Sequence, residues 1–286
     1  MSRALAGRIC LVTGANSGVG LAVARGLAER GATVVLGCRS RERGEAAVDS
    51  VRRATGNDRV TLELVDLSLQ QSVRDFAARF ARSHERLDVL VNNAAVWPAC
   101  RELTNEGIEL TWATNVLGPF LLTRSLLGQL RAGKPARIIN VASLLALWLD
   151  LDDVEMKRRT FRPTVAYAQS KQAVLMLTAG WSERLQDATV TANAVHPGAV
   201  GTSLFARHRG PIGTFLSWGL NFIGRPPEDG ADTILWLATD PAGEHETGKL
   251  WWDRRGRRCP YGDPKARARL WELCERMCLP AGAPQS

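Results

Sequence analysis

A tyrosine and a lysine four positions apart are the residues of this sequence best suited to acid–base chemistry. Tyr167 and Lys171 fall in segment 165–185, whose pattern predicts a helix, so the two residues share one helical face. A free phenol has a pKa of about 10, and a neighbouring ammonium favours the phenolate and makes its proton easier to move at neutral pH. The alternative interpretation is an ordinary pair of surface residues.

Two further polar residues could act together with this pair. Ser143 ends a predicted strand, where its hydroxyl can hydrogen-bond a substrate oxygen as an oxyanion donor does. Asn115 lies in the apolar face of a long helical stretch, 106–129, which we expect Pro119 to kink or break near Gly118. A buried amide has to be hydrogen-bonded, so a purely structural role is the alternative for Asn115.

A glycine-rich turn, Thr-Gly-Ala-Asn-Ser-Gly-Val-Gly at 13–20, joins a predicted strand to a predicted helix near the N-terminus. Gly14 permits the tight turn, Gly18 lets the backbone approach a pyrophosphate, and Gly20 allows the helix and the strand to pack closely. The N-terminus of the helix offers free N–H groups and the positive end of its dipole to phosphate. The pattern predicts a dinucleotide-binding unit, and a turn that merely packs tightly is the alternative.

The residue that follows the second predicted strand bears on the choice of cofactor. Segment 33–37 is followed by Cys38 and Arg39, and the first acidic residue after them is Glu42. A carboxylate at this place would bind the ribose 2′-hydroxyl and repel a 2′-phosphate, whereas an arginine accommodates that phosphate. We therefore expect NADP rather than NAD, with an exposed loop arginine as the alternative.

Strands and helices alternate along the whole chain. The predicted strands are 9–12, 33–37, 60–65, 87–91, 137–143, 189–195 and 248–253, and the predicted helices include 21–30, 41–55, 69–83, 165–185 and 228–239. This alternation predicts an α/β fold over residues 1–286, a single-domain Rossmann fold with a doubly wound, seven-stranded parallel sheet and helices on both faces. The turns after the strands gather the motifs at one sheet edge, where such folds bind ligands.

The sequence resembles the short-chain dehydrogenase/reductases over nearly its whole length. The residues that carry the resemblance are the glycine turn, Asp-Leu-Ser at 66–68, Asn-Asn-Ala-Ala at 92–95, Asn115, Ser143, Tyr167, Lys171 and His-Pro-Gly-Ala-Val-Gly-Thr at 196–202. The long interval from Ser143 to Tyr167, and Cys-Arg-Ser at 38–40, are similar to the retinol dehydrogenase-like branch. Ala95 departs from the glycine that is usual in the family, and we expect its methyl group to be tolerated if φ is negative there.

The resemblance implies an NADP(H)-dependent oxidoreductase that reduces an apolar aldehyde or ketone, or catalyses the reverse oxidation. It implies that Tyr167 is the acid–base group, that Ser143 polarises the carbonyl, that Lys171 binds the nicotinamide ribose, and that Asn115 belongs to a proton relay. The implied cofactor-binding residues are Gly14, Asn16, Ser17, Gly18, Val19, Gly20, Arg39, Asp66, Leu67, Asn93, Ala94, Ala95, Tyr167, Lys171, Pro197, Gly198, Val200 and Thr202. Asp66 would contact the adenine; alternatively, Asp66 or Ser68 simply caps the next helix. His196 is expected to be structural.

Two other classes of function are compatible with this fold. A non-catalytic NADP-binding sensor or scaffold would keep the glycine turn, but the four chemical residues argue against it. An epimerase or dehydratase usually carries a larger C-terminal substrate region. We expect segment 203–224, which mixes aromatic residues with glycines, to be a lid over an apolar substrate. A core helix, a dimer contact and a weak membrane contact are its alternatives.

Composition and charge exclude several further classes. A hydrophobic content of 45% and a charged content of 23% are ordinary for a soluble protein, and no apolar run is long enough to span a bilayer. The first strand begins too near the N-terminus for a signal peptide, so we expect a cytoplasmic protein. The six cysteines form no metal-ligand pattern, so no metal is expected. The net charge of +8 is concentrated in a basic tail, about 254–286, that we expect to be solvated and not to bind nucleic acid. We leave open a homodimer or a homotetramer.

Overall fold

The computed structural model describes residues 4–185, 189–198 and 225–279. The strands are β1 Ile9–Thr13, β2 Thr33–Cys38, β3 Val60–Leu64, β4 Val89–Asn92, β5 Ala136–Val141, β6 Val190–Val195, β7 Lys249–Trp252 and β8 Arg255–Arg258. The helices are α1 Gly18–Glu29, α2 Arg41–Thr55, α3 Gln70–Ser83, α4 Leu110–Trp112, α5 Gly118–Ser125, α6 Leu127–Ala132, α7 Pro163–Arg184, α8 Pro227–Thr239, α9 Ala242–His245 and α10 Pro264–Met277, with a π-helical turn at Ala113–Leu117. The predicted lid at 203–224, Val200 and Thr202 lie outside the described residues.

The strands form one sheet in the order β3-β2-β1-β4-β5-β6-β7-β8. The first seven strands of this order are parallel, which confirms the predicted doubly wound α/β fold. The strand order reverses direction between the paired strands β1 and β4, so the connections that leave them run to opposite sides of the sheet and leave a crevice at their carboxyl ends. The described residues of the predicted motifs that follow these strands therefore lie at the same edge.

An eighth strand extends the sheet beyond the seven that the sequence predicts. β8 pairs antiparallel with β7 through a tight turn in which Asp253 and Arg254 have φ values of 47° and 59°. All four residues of β8 are exposed, and Arg-Gly-Arg-Arg shows none of the apolar alternation that marks a half-buried strand. The backbone of β8 hydrogen-bonds to the free edge of β7, and the pattern of side chains in β8 does not indicate this pairing.

The C-terminal region is not the solvated basic tail that its charge suggests. Helix α10 packs against α7, with Leu270 and Cys274 fully buried. Trp271 contacts Trp181 with ring centroids 4.7 Å apart, and the Arg184 guanidinium lies 3.9 Å from the Trp271 ring. The prediction of a solvated tail is therefore wrong for the helix Pro264–Met277, whose apolar face covers the core, whereas Arg254 and the four residues of β8 are exposed.

The helical stretch around Asn115 is shorter and more irregular than predicted. It begins at Leu110, where the Glu109 carboxylate accepts hydrogen bonds from the backbone N–H groups of Thr111 and Trp112, both at 2.8 Å. The expected irregularity near Pro119 takes the form of the π-helical turn at Ala113–Leu117. Gly118 follows it, and a side chain there would come within 2.4 Å of the Leu67 carbonyl oxygen. Position 118 therefore has no room for a side chain where this helix passes the segment after β3.

Candidate active site

The glycine turn has the geometry that its sequence predicts. Gly14 and Gly18 have φ values of 65° and 55°, in the left-handed region that favours glycine. A Cβ atom on Gly20 would lie 2.5 Å from the Gly14 carbonyl oxygen and 2.4 Å from Asn93 Nδ2. The turn is therefore packed too tightly for side chains at both of its ends, and Gly18 between them is half-buried.

Residues at the end of β4 hold this turn in place. The Thr13 hydroxyl accepts hydrogen bonds from the backbone N–H groups of Asn93 and Ala94, at 3.0 and 3.1 Å. Asn93 Nδ2 donates to the Thr13 carbonyl oxygen at 2.9 Å. The predicted residues Asn93 and Ala94 thus lie directly against the turn. Ala95 does not adopt a positive φ, so the methyl group that departs from the family pattern causes no backbone strain.

The start of α1 meets the requirements of a phosphate site. Ser17 is its N-cap residue, and the Ser17 side chain makes no capping hydrogen bond. Asn16 and Gly18 are half-buried, Ser17 is exposed and Val19 is buried. The N–H groups of the first turn of a helix have no partner within the helix, so here they are free to bind an anion.

Arg39 is exposed at the carboxyl end of β2, beside the glycine turn. The Gly14 N–H donates to the Gly37 carbonyl oxygen at 2.8 Å, which ties the turn to this strand. Within the described ranges, Arg39 takes part in no ion pair. An exposed guanidinium next to the turn is free to contact a phosphate, and the arrangement also fits the alternative of an ordinary loop arginine.

The segment after β3 is organised differently from the capping alternative. Asp66 Oδ1 accepts hydrogen bonds from the Ser68 N–H and hydroxyl, at 2.9 and 2.6 Å, and does not cap α3. The cap comes instead from Glu106, whose carboxylate accepts from the backbone N–H groups of Gln70 and Gln71, at 2.9 and 3.2 Å. Asp66 and Leu67 remain at the sheet edge as predicted cofactor contacts.

The predicted acid–base pair is buried at the end of β5. Lys171 Nζ donates to the Val141 carbonyl oxygen at 2.8 Å and lies 5.7 Å from the centre of the Tyr167 ring. Ser143 follows β5 directly and is half-buried, and its hydroxyl lies near enough to Tyr167 to act on the pKa of the phenol. The three predicted residues therefore lie together, and the surface-pair alternative is wrong because Tyr167 and Lys171 are only 8% and 3% exposed.

Burial controls the acidity of both groups. It raises the pKa of Tyr167 to about 12, although the Ser143 hydroxyl opposes this shift. Burial also lowers the pKa of Lys171 to about 8. The expectation that the lysine favours the phenolate is not met, because the loss of water around the phenol raises the pKa of Tyr167. At neutral pH Tyr167 is a protonated phenol beside an ammonium.

Asn115 connects the loop after β4 to helix α7. Asn115 Oδ1 accepts from the Val96 N–H at 2.8 Å, and Nδ2 donates to the Val96 carbonyl oxygen at 3.0 Å. Nδ2 also donates to the Ser170 hydroxyl at 3.1 Å, which itself donates to the Tyr167 carbonyl oxygen at 2.7 Å. The structural alternative for Asn115 is thus satisfied in full, and its role in a proton relay stays a prediction.

A small cavity with both polar and apolar lining residues adjoins Lys171. It has a volume of about 20 Å³, counted as space for the centre of a water molecule, which is enough for one water. Its lining includes Asn92, Asn115 and Asn140. Asn92 Oδ1 is buried and accepts no hydrogen bond from the part of the chain that the structure describes. A buried acceptor and an ammonium beside one cavity favour a bound water there.

The sequence profile of the short chain dehydrogenase family matches residues 8–211. This chain belongs to the short-chain dehydrogenase family. Human retinol dehydrogenase 13 is 38% identical over 281 residues, which cover 95% of this chain and 84% of that protein. Human dehydrogenase/reductase SDR family member 13 is 39% identical over 286 residues, 96% of this chain and 74% of that protein.

Solved structures that are similar to this chain have the same fold. An uncharacterized protein from Mycobacterium paratuberculosis is 31% identical, with a TM-score of 0.74 and 97% of both chains covered. RhlG from Pseudomonas aeruginosa, in an active-site complex with NADP, is 29% identical, with a TM-score of 0.67 over 87% of this chain and 95% of that chain. The chain is therefore an oxidoreductase of the short-chain dehydrogenase type, in the retinol dehydrogenase-like branch.

The end of β6 carries the last predicted motif of this short-chain dehydrogenase. Gly198 has a φ of 84°, and a Cβ atom on it would lie 3.3 Å from Arg225 Cδ. His196 is buried against the Trp252 ring, with centroids 5.5 Å apart, and burial lowers the pKa of His196 to about 4. A histidine that stays neutral in the physiological range, in contact with an aromatic ring, fits the predicted structural role.

One aromatic residue of the site was not predicted from the sequence. Trp97 stacks on the ring of Tyr167, with centroids 4.4 Å apart and planes inclined by 8°. The only signal in the sequence is its position directly after Asn-Asn-Ala-Ala-Val, in a loop that the sheet topology places at the site.

Within the described residues, no group of three or more His, Cys, Asp and Glu side chains could hold a metal ion. No helix in those same ranges is long and apolar enough to cross a bilayer.

Proposed function

We propose that this short-chain dehydrogenase reduces the carbonyl group of an apolar aldehyde or ketone with NADPH, and oxidises the corresponding alcohol with NADP. One observation carries the proposal. A glycine turn shaped for a dinucleotide, the buried Tyr167 and Lys171 and the half-buried Ser143 occupy the carboxyl edge of one parallel sheet, linked through the loop after β4.

The residues present fit a dinucleotide phosphate. The turn at Gly14 and Gly20 leaves no room for side chains, and the first turn of α1 has no side-chain cap. These groups would hold the pyrophosphate, and Arg39 would bind a 2′-phosphate. The NADP complex of RhlG, at 29% identity, supports the choice of NADP(H). Lys171 would bind the nicotinamide ribose.

The chemistry of the chain's own residues concerns a single proton. The bound cofactor supplies the hydride. Tyr167 donates its proton to the carbonyl oxygen, and burial keeps its pKa at about 12, so the proton is in place at neutral pH. The Ser143 hydroxyl donates a hydrogen bond to the same oxygen and stabilises the charge that develops there. Lys171, charged below a pKa of about 8, stabilises the phenolate that remains.

The proposed apolar substrate rests on the relatives and on one contact. Two of the similar proteins that cover most of this chain are named retinol dehydrogenases. Trp97 adds an aromatic surface directly beside the proton donor. Segment 203–224, which lies outside the described residues, is proposed as the lid.

The test is turnover of a panel of aldehydes and ketones, followed through the absorbance of NADPH, with Tyr167→Phe as the variant. Loss of the hydroxyl should lower kcat by roughly 10²–10⁴ and leave NADPH affinity unchanged. The chain offers a matched control, since Tyr261 is the only other tyrosine, and Tyr261→Phe should keep its activity. Near wild-type turnover by Tyr167→Phe would refute the mechanism. NADPH binding by the wild-type protein without turnover of any carbonyl or alcohol would favour the sensor alternative.

A further inference from the structure

Trp97 stacks directly on the proton donor, Tyr167. The indole and the phenol of Tyr167 are almost parallel, with centroids 4.4 Å apart. Stacking at this distance covers one whole face of the smaller ring. Trp97 is half-buried, so part of the indole is in contact with solvent.

The backbones that carry the two rings are tied to the same amide. Val96, the neighbour of Trp97, is paired through both its N–H and its carbonyl oxygen with the Asn115 side chain, at 2.8 and 3.0 Å. The same Nδ2 reaches Ser170, which bonds the Tyr167 carbonyl oxygen. Neither backbone can shift without breaking buried hydrogen bonds. The stack is therefore a fixed feature of the site.

We propose that Trp97 is a positioning and specificity-determining residue: its indole holds the Tyr167 phenol in one orientation, keeps water from one face of it and forms an aromatic wall for a flat apolar carbonyl compound. The specificity part of this inference rests on the proposed function, because it describes the substrate of that same site. The positioning part concerns the ligand-free protein and is tested without turnover.

The physical basis of the specificity is the space that the indole occupies. With one face of Tyr167 covered, a carbonyl oxygen reaches the phenol only from the directions that the indole leaves open. A flat, conjugated aldehyde can lie against an aromatic surface and gains stacking energy there. A carbonyl compound that is branched beside the reacting carbon meets the indole edge and loses part of its contact.

The positioning test uses the small number of tyrosines in the chain. With only Tyr167 and Tyr261 present, protein labelled with ¹³C at the tyrosine ζ carbon gives two NMR signals, and Tyr261→Phe assigns them. The ionisation of Tyr167 is followed with rising pH in the ligand-free protein, over the range in which circular dichroism shows a native fold. The variants are Trp97→Ala, Trp97→Phe and a control, Trp148→Ala, which removes a tryptophan that is 55% exposed.

We expect Trp97→Ala to admit water to the phenol and to lower the ionisation midpoint of Tyr167 by about one pH unit, toward the value of about 10 of a free tyrosine. Trp97→Phe keeps a stacked ring and should restore most of the difference, and Trp148→Ala should leave the midpoint unchanged. Trp97→Leu replaces Trp97→Ala if the latter fails to fold, because it preserves apolar volume without a flat ring. An unchanged Tyr167 midpoint in the folded variant would overturn the proposal.

The specificity test compares kcat/KM for a flat aromatic aldehyde with that for an aldehyde branched at the carbon beside the carbonyl. Trp97→Ala should reduce the preference for the flat substrate by about tenfold or more, while Trp97→Phe retains it. Equal changes for both substrates would refute the aromatic wall. If Tyr167→Phe keeps full activity, the proposed function fails, whereas the NMR midpoint still decides the positioning role.

Discussion

Replacement of Gly20 by alanine tests whether the glycine turn requires a residue without a side chain at this position. The added Cβ atom would lie 2.5 Å from the Gly14 carbonyl oxygen and 2.4 Å from Asn93 Nδ2, and real Cβ atoms essentially never come within 3.0 Å of another heavy atom. Neither neighbour can move away cheaply. The first belongs to the backbone of the turn, and Asn93 is held by its bond to the Thr13 carbonyl oxygen. The turn and the start of α1 therefore have to separate.

Overpacking of this kind costs about 1–3 kcal/mol of unfolding free energy. The segment that has to move carries the backbone N–H groups that are proposed to bind the pyrophosphate. A loss of similar size in the free energy of NADPH binding would weaken the affinity by about 10–100-fold. Urea unfolding gives the first quantity, and a fluorescence titration with NADPH gives the second.

Gly128→Ala is the matched control for this substitution. Gly128 lies in α6, and a Cβ atom on it would meet no other atom within 4 Å. Alanine should raise the unfolding free energy there by up to about 1 kcal/mol, because glycine is the poorer helix former, and leave NADPH affinity unchanged. A Gly20→Ala protein with wild-type stability and affinity would refute this account of the turn.

Three further predictions follow from the site. Arg39→Ala should weaken NADPH binding by about 1.5–3 kcal/mol and leave NADH binding nearly unchanged, as measured by titration with both cofactors. Equal affinity of the wild type for the two cofactors would show that Arg39 does not contact the 2′-phosphate. Asn115→Ala should lower the unfolding free energy by about 1–3 kcal/mol, because it leaves both polar groups of Val96 without their partner, and an unchanged urea midpoint would contradict this. Burial lowers the pKa of Lys171 from its usual 10.5 to about 8. Below pH 8 the buried charge of Lys171 therefore lowers the unfolding free energy. Between pH 8 and 10.5 the unfolded chain binds more protons than the folded one. The unfolding free energy of the ligand-free wild type should therefore rise relative to Lys171→Met across this window, by up to roughly 3 kcal/mol, and a constant difference would contradict the shift.

The local sequence determined much of the fold and most of the residues that the site brings together. Helix α2 begins and ends where the pattern predicts, because Ser40 caps its start and Gly56 ends it in the left-handed region, with φ 65°. The parallel strands follow from apolar runs separated by helices. The glycine turn was predictable because a positive φ and a close approach of backbone atoms each select glycine. These effects act within a few residues, so they leave a signal in the sequence.

Contacts between distant segments decided the rest. The cap of α3 comes from Glu106, 36 positions along the chain from Gln70, so no residue next to the helix indicates it in the sequence. Strand β8 forms because β7 offers an unpaired edge, a property of the sheet and not of Arg-Gly-Arg-Arg. The spacing of Tyr167 and Lys171 indicated a phenol made acidic by a cation, but the pKa of a buried group depends on how much water the surrounding fold removes. Trp97 and Tyr167 are 70 positions apart along the chain, and only the folding of the loop after β4 onto α7 brings an indole against the proton donor.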